Sequence, residues 1–414
     1  MVVVAAVKSA HSGLPGRGSL RRQQFRPTEI IEGITFTIGA PSPQDQLIST
    51  TWNRRGWTYQ EAELARRVLV IAESQVYWSC REENWCEDRF TEFLVPTISS
   101  SVFNSRLTTQ TSPLRSRSLF SPTIGLCYLG EYGYKVKEFS DRSFSDPKDM
   151  LWAFLGILKS LLPLFPEGYI WGMPRARLDA TLLWQTDNKS RLSDPLAILT
   201  KKGRWQELTI PSWCWIGKGA KVWYEECYES VESMLDWREP VDMEEHGLLN
   251  GNPEAERGKE WASDIQSTIF QSSHSFSGDT IFDYALLHFA AESATLRLHT
   301  PTWGVNRVHT CCSFVSATIS LLSGKDIGSV KVPLSAFCDE NTLSRREIEG
   351  EFILLSSISR RNEDGTKISE EPRYNIMLLS WSKDKKIAYR VSWTDIAKSA
   401  WDECETQKKT IILG

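Results

Sequence analysis

The sequence predicts a mixed α/β and α+β fold, in which an α/β segment precedes a helical segment and a β-rich C-terminal region. Three patterns support this prediction. Two β-rich runs follow a short helix-like stretch within the first 95 residues, apolar residues recur at helical spacing between 151 and 158, and short β-rich runs alternate with turn residues in the last third. The 414 residues are enough for roughly two or three domains of about 150 residues each.

The first segment, residues 1–95, is predicted to alternate strand and helix. Val2 to Val7 is typical of a buried strand. Thr58 stands three residues before Glu61, the spacing of a capping box, and predicts a short helix that starts at Thr58. The β-rich runs 67–72 and 75–80 then predict a hairpin with its turn at Glu73 and Ser74.

The middle of the chain is predicted to hold a linker, a helical region and a loop. Residues 96–140 are rich in Ser, Thr, Arg and Pro and indicate a flexible linker. Residues 141–224 are predicted to be a helical region, with a first helix capped by Asp146, a second over 177–185, and an extended Trp-rich segment at 211–215. Residues 225–278 are acidic and predict an exposed loop.

The last region, residues 279–414, is predicted to be β-rich and to end in a helix. Its β-rich runs are separated by Gly, Asp, Asn and Lys turns. His288 and His299 fall in such runs and are interpreted as residues at the edge of the core. The predicted final helix has a buried stripe at helical spacing, formed by Trp393, Ile396, Ala397, Ala400 and Trp401.

Composition narrows the functional classes. With 41% hydrophobic and 24% charged residues, the chain has the composition of a folded protein, and its net charge of −4 predicts neither a nucleic-acid nor a membrane partner. The 17 tryptophans predict an aromatic-rich core. The nine cysteines form no C-x-x-C pair, so we expect reduced thiols in a cytoplasmic protein without a metal site or a cofactor.

One short motif carries the resemblance to a known family. Arg55 to Glu61, with the sequence Arg-Gly-Trp-Thr-Tyr-Gln-Glu, and the following segments up to Cys80 resemble the C-terminal half of the heterokaryon-incompatibility (HET) domain of filamentous fungi. Segments 152–158, 171–174, 182–184, 211–215, 351–356 and 374–379 and the C-terminal 409–414 follow in the family's order. The family's opening Ser-Tyr-x-Trp-Gly strand and Trp-Ile-Asp segment have no counterpart here. The chain therefore resembles an N-terminally truncated member that lacks the first half of the domain, through a late gene start or a true truncation.

The resemblance implies a role in nonself recognition, in which HET proteins trigger programmed cell death after incompatible fungal cells fuse. It also implies a partial TIR-like α/β half-domain, and some TIR domains hydrolyse NAD through a glutamate. Glu61 would then be the catalytic carboxylate, with Arg55, Trp57 and Gln60 forming a phosphate-binding and stacking wall. The remaining family-motif residues are expected to be structural: Gly56, Thr58, Arg67, Trp78, Trp213 and Trp215.

Two functional hypotheses stay open. In the first, Glu61 only caps a helix, and the chain is a non-catalytic or degenerate interaction and regulatory module with protein partners. In the second, a full domain extending upstream of Met1 hydrolyses NAD. The sequence contains no Gly-x-Ser-x-Gly elbow, P-loop or His-Glu-x-x-His helix, so no other enzyme class is indicated. Trp57 and Trp78 are predicted to be core residues, and Trp213 and Trp215 are predicted to pack rather than bind.

Overall fold

A computed structural model describes residues 2–6, 13–16, 28–37, 47, 50–73, 75–80, 84–87, 128–145, 149–186, 197–198, 208–209, 211–216, 221–224, 231–238, 286–299, 314–333, 338–339, 342–343, 347–358, 371–382 and 385–414. The chain divides into two compact units. The first contains residues 1–131 and 141–161, and the second contains 132–140 and 162–414. Both helices and many strands are present, so the mixed fold class is confirmed at that level.

The first unit contains a four-stranded sheet. Its strands are β1 (Val2–Ala6), β4 (Arg67–Ala72), β5 (Val76–Cys80) and β6 (Asn84–Cys86), in that order. β1 runs parallel to β4, and the other neighbours are antiparallel. Every second residue of β4 is buried, because strand side chains alternate between faces. The predicted strands are confirmed, and β4 and β5 form the predicted hairpin.

A separate two-stranded hairpin also belongs to the first unit. It consists of β2 (Thr28–Ile31) and β3 (Ile34–Thr37), which pair antiparallel. Glu32 and Gly33 form its turn with φ values of 50° and 79°. Positive φ at both central residues is the geometry of a type I′ turn, which matches the twist of the flanking strands.

Helix α2 begins earlier than the sequence predicted. Helix α1 (Thr51–Arg54) is capped by the Thr50 hydroxyl, and α2 covers Gly56–Leu64 with Arg55 as its N-cap. Thr58 therefore lies inside the helix, and its hydroxyl donates to the carbonyls of Trp52 and Arg55. The predicted capping box is wrong. Arg55 forms an isolated β-bridge with Ser143, and the Ser143 carbonyl accepts the Gly56 amide at 3.0 Å. These contacts fix the start of the helix at Gly56.

The C-terminal end of the predicted linker, 96–140, is helical instead of flexible chain. Residues Tyr128–Ser140 form helix α3, and the remainder of the linker lies outside the described residues. Helix α4 (Asp149–Leu161) confirms the predicted helix, with seven buried residues at helical spacing: Met150, Leu151, Ala153, Phe154, Ile157, Leu158 and Leu161. Its proposed cap, Asp146, lies outside the described residues.

The helical character predicted up to residue 224 does not continue beyond α4. The second predicted helix is reduced to a 3-10 turn (Arg175–Arg177) and the single turn α5 (Leu178–Thr181). The other regular elements among the described residues of this segment are short strand pairs: β7 (Tyr169–Ile170) with β8 (Met173–Pro174), β9 (Gln185–Thr186) with β12 (Val222–Trp223), and β10 (Ala197–Ile198) with β11 (Leu208–Thr209). Residues 211–216 form turns rather than an extended strand.

The second unit is organised by a large, mainly antiparallel sheet. Its strands are β13 (Val231–Ser233), β14 (Asp236–Trp237), β15 (Leu287–His299), β16 (Phe314–Ser320), β17 (Asp326–Pro333), β20 (Glu347–Ile358), β21 (Arg373–Trp381), β22 (Ala388–Ala397) and β23 (Gln407–Leu413). β13 and β14 correct the loop predicted over 225–278. β18 (Cys338–Asp339) and β19 (Thr342–Leu343) form a separate pair.

The pairings of this sheet close on themselves. β15 pairs with β23 through residues 287–293 and with β20 through 293–299, and β20, β21, β22 and β23 pair in turn. Ser293 pairs with both Ile353 of β20 and Gln407 of β23, so these strands lie on opposite edges of β15 and close a ring of five strands. The apolar side chains of one face then meet in a core, which includes Leu296, Ile319, Val332, Phe352, Ile376, Ile396 and Trp401.

The predicted C-terminal helix is largely a strand. Residues 393–397 belong to β22, only Lys398–Asp402 is helical (α6), and the chain continues into β23. The region is β-rich as predicted, with His288 and His299 both in β15. Within the described part of the chain, no helix is long and apolar enough to cross a membrane.

Candidate functional site

Helix α2 carries the residues that the sequence singled out, and it packs on helix α4. The close approach occurs at Gly156 of α4, where an added Cβ would lie 2.7 Å from Gln60 Cδ and 2.8 Å from Leu64 Cδ1. Gln60 is half-buried, and its Oε1 is buried without a hydrogen-bond partner among the described residues. Gln60 therefore belongs to the contact between the two helices.

The side of α2 that carries Trp57 adjoins this contact and is exposed. Trp57 and Leu64 are each 40% exposed, and Glu61 between them is also exposed. Because these residues are four and three positions apart, they lie on one side of the helix. Two polar residues, Thr58 and Glu63, are buried instead. Other buried residues of α2 are apolar, so its buried and exposed sides both mix apolar and polar side chains, unlike the usual helix that covers a core. We call Trp57, Glu61 and Leu64 the α2 surface.

Trp57 is held in place at the surface. Its indole Nε1 donates to Asp149 Oδ2, the first residue of α4, at 3.3 Å. The expectation that Trp57 is a core residue is wrong, because the helix start at Gly56 turns position 57 outward. Trp78, in β5, is half-buried. A tryptophan with its polar atom satisfied and its ring exposed offers a rigid apolar contact area.

Arg142 connects the start of α2 to the segment before α4. Its guanidinium donates to Asn53 Oδ1 at 3.1 Å and to the Arg55 carbonyl at 3.4 Å, and it lies 4.7 Å from the ring centroid of Tyr59. Arg55 itself is exposed. No sequence pattern pointed to Arg142, because nothing local signals a contact between residues so far apart in the chain.

Two of the residues expected to be structural, Gly56 and Thr58, are buried, and a third, Arg67, is exposed. Gly56 is buried, and a Cβ there would lie within 2.5 Å of three ring carbons of Phe144. Thr58 is buried with both its hydrogen bonds inside the first unit, and Arg67 is exposed at the start of β4. Glycine at position 56 is thus explained by packing.

Trp213 and Trp215 are completely buried in the second unit, as their predicted packing role requires. Trp184 Nε1 donates to the Trp213 carbonyl at 2.8 Å. Trp215 Nε1 donates to the Tyr132 hydroxyl at 2.9 Å, which in turn donates to the Gly172 carbonyl. Burial is the main cause that raises the pKa of Tyr132 well above its ordinary value. These indole and phenol groups are satisfied internally, so the cluster is core.

Four cysteine side chains have described surroundings. Cys80, Cys86, Cys214 and Cys404 are not in disulfide bonds, and burial raises the pKa of Cys404 to about 11, which keeps it protonated at neutral pH. No group of three or more metal-ligating side chains occurs within the ranges that the structure describes.

A partly buried acidic group lies on the large sheet. Glu351 Oε1 accepts from the Ser293 hydroxyl at 2.5 Å and from Lys409 Nζ at 2.8 Å, and its Oε2 accepts from Trp381 Nε1 at 3.0 Å. Burial alone would raise the pKa of Glu351. The hydrogen bonds and the lysine charge outweigh burial, so the pKa is lowered. The Glu351 carboxylate thus connects its own strand, β20, to β15, β21 and β23.

The lowered pKa predicts how stability depends on pH. Glu351 stabilises the fold above its unfolded pKa of about 4.3, and this contribution is lost as pH falls through the lower folded pKa. We expect the melting temperature to fall between about pH 5 and pH 3. Glu351→Gln should lower it at neutral pH and weaken this dependence. Glu347→Gln, an exposed glutamate on the same strand, is the matched control. Identical pH profiles for wild type and Glu351→Gln would contradict the prediction.

No family model, no curated protein and no solved structure matches the chain.

Proposed function

We propose that this protein is a HET-type interaction module of a fungal nonself-recognition system, and that it acts in the cytoplasm by binding a protein partner through the α2 surface. The observation that carries the proposal is the exposed apolar area of α2, where Trp57 and Leu64 are each 40% exposed on either side of Glu61. Its support from sequence is that the same helix contains the motif that resembles the HET family.

The chemistry of the α2 surface suits a protein partner. Tryptophan is among the residues most enriched at interface hot spots, and Trp57 is already oriented by its hydrogen bond to Asp149, so little side-chain entropy is lost on binding. Glu61 lies between the two apolar side chains and would favour a basic group on the partner. In this proposal, Glu61 contributes recognition, and NAD hydrolysis by Glu61 is the alternative that the experiment must separate from it.

Expression in a filamentous fungus distinguishes these roles. We expect wild type to cause growth arrest with unchanged cellular NAD, and Glu61→Gln to retain most of that effect. Trp57→Ala should abolish it, because removing a hot-spot side chain costs about 2 kcal/mol or more, roughly thirtyfold in affinity. Trp85→Ala is the matched control, since Trp85 is 37% exposed in the same unit.

Three outcomes would overturn the proposal. NAD depletion by wild type that Glu61→Gln prevents would establish the enzyme instead. Equal activity of Trp57→Ala and wild type, at equal protein levels, would remove the α2 surface from the mechanism. A wild type without any effect on growth or viability would remove the role in cell death.

A further inference from the structure

The hairpin β2–β3 leaves its apolar side chains in solvent. Ile30 is 72% exposed, Ile31 51%, Ile34 62% and Phe36 52%. A two-stranded hairpin alone is marginally stable in water, and exposed apolar patches of this kind mark interaction sites. Ile31, Ile34 and Phe36 share one face, because Ile31 is opposite Ile34 and Phe36 is two residues further along β3.

The outer edge of β3 has no partner strand among the residues that the structure describes. In a two-residue hairpin, the residues that flank the turn, Ile31 and Ile34, form a hydrogen-bonded pair, and the pairs alternate beyond it. Thr35 is therefore in a non-hydrogen-bonded pair with Ile30, and Thr37 is in one with Thr28. The N–H and C=O groups of Thr35 and Thr37 point away from β2. We call Thr35–Thr37 the hairpin edge.

We propose that the hairpin edge pairs antiparallel with the same edge of a second copy of this chain. The edge is uncharged and has none of the Lys, Pro or bulge features that natural edges use against such pairing. In the corresponding dimer through β2, Glu29 would lie opposite Glu29 of the second copy. Like charges directly opposite each other destabilise a strand pair. Self-pairing joins two marginal hairpins into a four-stranded sheet, which is the size at which sheets become independently stable.

The two-fold arrangement fixes the register. Thr35 of one copy pairs with Thr37 of the second copy, and each such pair exchanges both N–H···O bonds. Phe36 then lies opposite Phe36 of the second copy in a non-hydrogen-bonded pair, where side chains are closest and aromatic pairs are favourable. The interface is isologous, as in most closed dimers.

Measurement of the mass of the full chain over a concentration series tests the dimer. Wild type should form a concentration-dependent dimer. Thr35→Pro removes the outward N–H but no hydrogen bond within the hairpin, and should weaken the dimer about tenfold or more. Ile30 lies opposite Thr35, and its N–H points outward on the other edge of the hairpin. Ile30→Pro therefore removes an N–H outside the proposed interface and should leave the dimer intact. A monomeric wild type at all concentrations, or equal effects of both prolines, overturns the proposal.

Cross-linking tests the register even if a proline variant folds poorly. Phe36→Cys places two thiols opposite each other at Cα separations of about 4.5 Å, within disulfide range. Mild oxidation should give a covalent dimer well above the background of wild type. Ile34→Cys is on the same strand and face, and more exposed, but its copies would be about 13 Å apart along the strand. Equal cross-linking of the two variants would disprove this register.

Discussion

Replacing Arg390 with alanine should lower the free energy of unfolding by about 3–5 kcal/mol, comparable with breaking a buried ion pair. Arg390 lies in β22 and is 8% exposed. Its guanidinium donates to the carbonyls of Leu182 and Trp184, and stacks 3.5 Å from the centroid of the Trp184 ring. The substitution leaves buried carbonyl groups with fewer donors and opens a cavity beside the indole.

Two carbonyl groups and the face of the Trp184 ring offset the free-energy cost of burying the Arg390 guanidinium. Burial lowers the pKa of Arg390 to about 9, which is still above neutral pH, so the group is charged under ordinary conditions. Arg390→Lys should recover only part of the stability, because an ammonium cannot reproduce the planar fork or the stacking. Denaturant unfolding of the three proteins measures these differences.

A matched control is available on the same sheet. Arg297 has a side chain that is 38% exposed and forms a surface ion pair with Glu347 at 3.3 Å. Arg297→Ala should cost less than about 1 kcal/mol, as is usual for exposed pairs. A cost for Arg390→Ala no larger than that of Arg297→Ala would show that the buried guanidinium does not hold the Trp184 segment against the sheet.

Gly56→Ala should destabilise the first unit by about 2–3 kcal/mol, at the high end of the cost of overpacking. The added methyl group would overlap the ring of Phe144, and the backbone at Gly56 cannot retreat because its amide is bonded to Ser143. A loss of this size, seen by chemical unfolding, would explain why glycine occupies the first position of a helix where better helix formers are available.

A double-mutant cycle separates this clash from intrinsic helix propensity. Phe144→Ala removes the obstacle, and in that background Gly56→Ala should be nearly neutral or slightly stabilising, since alanine is the better helix former. An unchanged cost in the Phe144→Ala background would contradict the packing explanation and point instead to the backbone at Gly56.

Local pattern was sufficient for several elements. Runs of β-branched and other apolar residues divided by Glu73 and Ser74 predicted β4 and β5 and their hairpin. Helical spacing of apolar residues predicted α4. Each of these signals lies within one element, so no information from distant parts of the chain was required.

Elements whose limits depend on distant contacts were predicted wrongly. The start of α2 is set by Ser143, so Thr58 and Glu61 do not form a capping box. Trp393, Ile396 and Ala397 have helical spacing, but pairing with β21 along its whole length makes this segment strand β22. When a short apolar segment suits both periods, the available hydrogen-bond partner decides its conformation.

The sequence by itself determined the class of the fold, the strands and helices with strong periodicity, the tryptophan-rich core and the motif on α2 that resembles the HET family. Only the tertiary structure decided which side of α2 faces outward, that Gln60 lies against α4 while Trp57 and Glu61 are exposed, and that the large sheet closes on itself. The physical reason is the same in each case: side-chain exposure and strand closure are set by contacts between residues far apart in the chain, which local spacing does not encode.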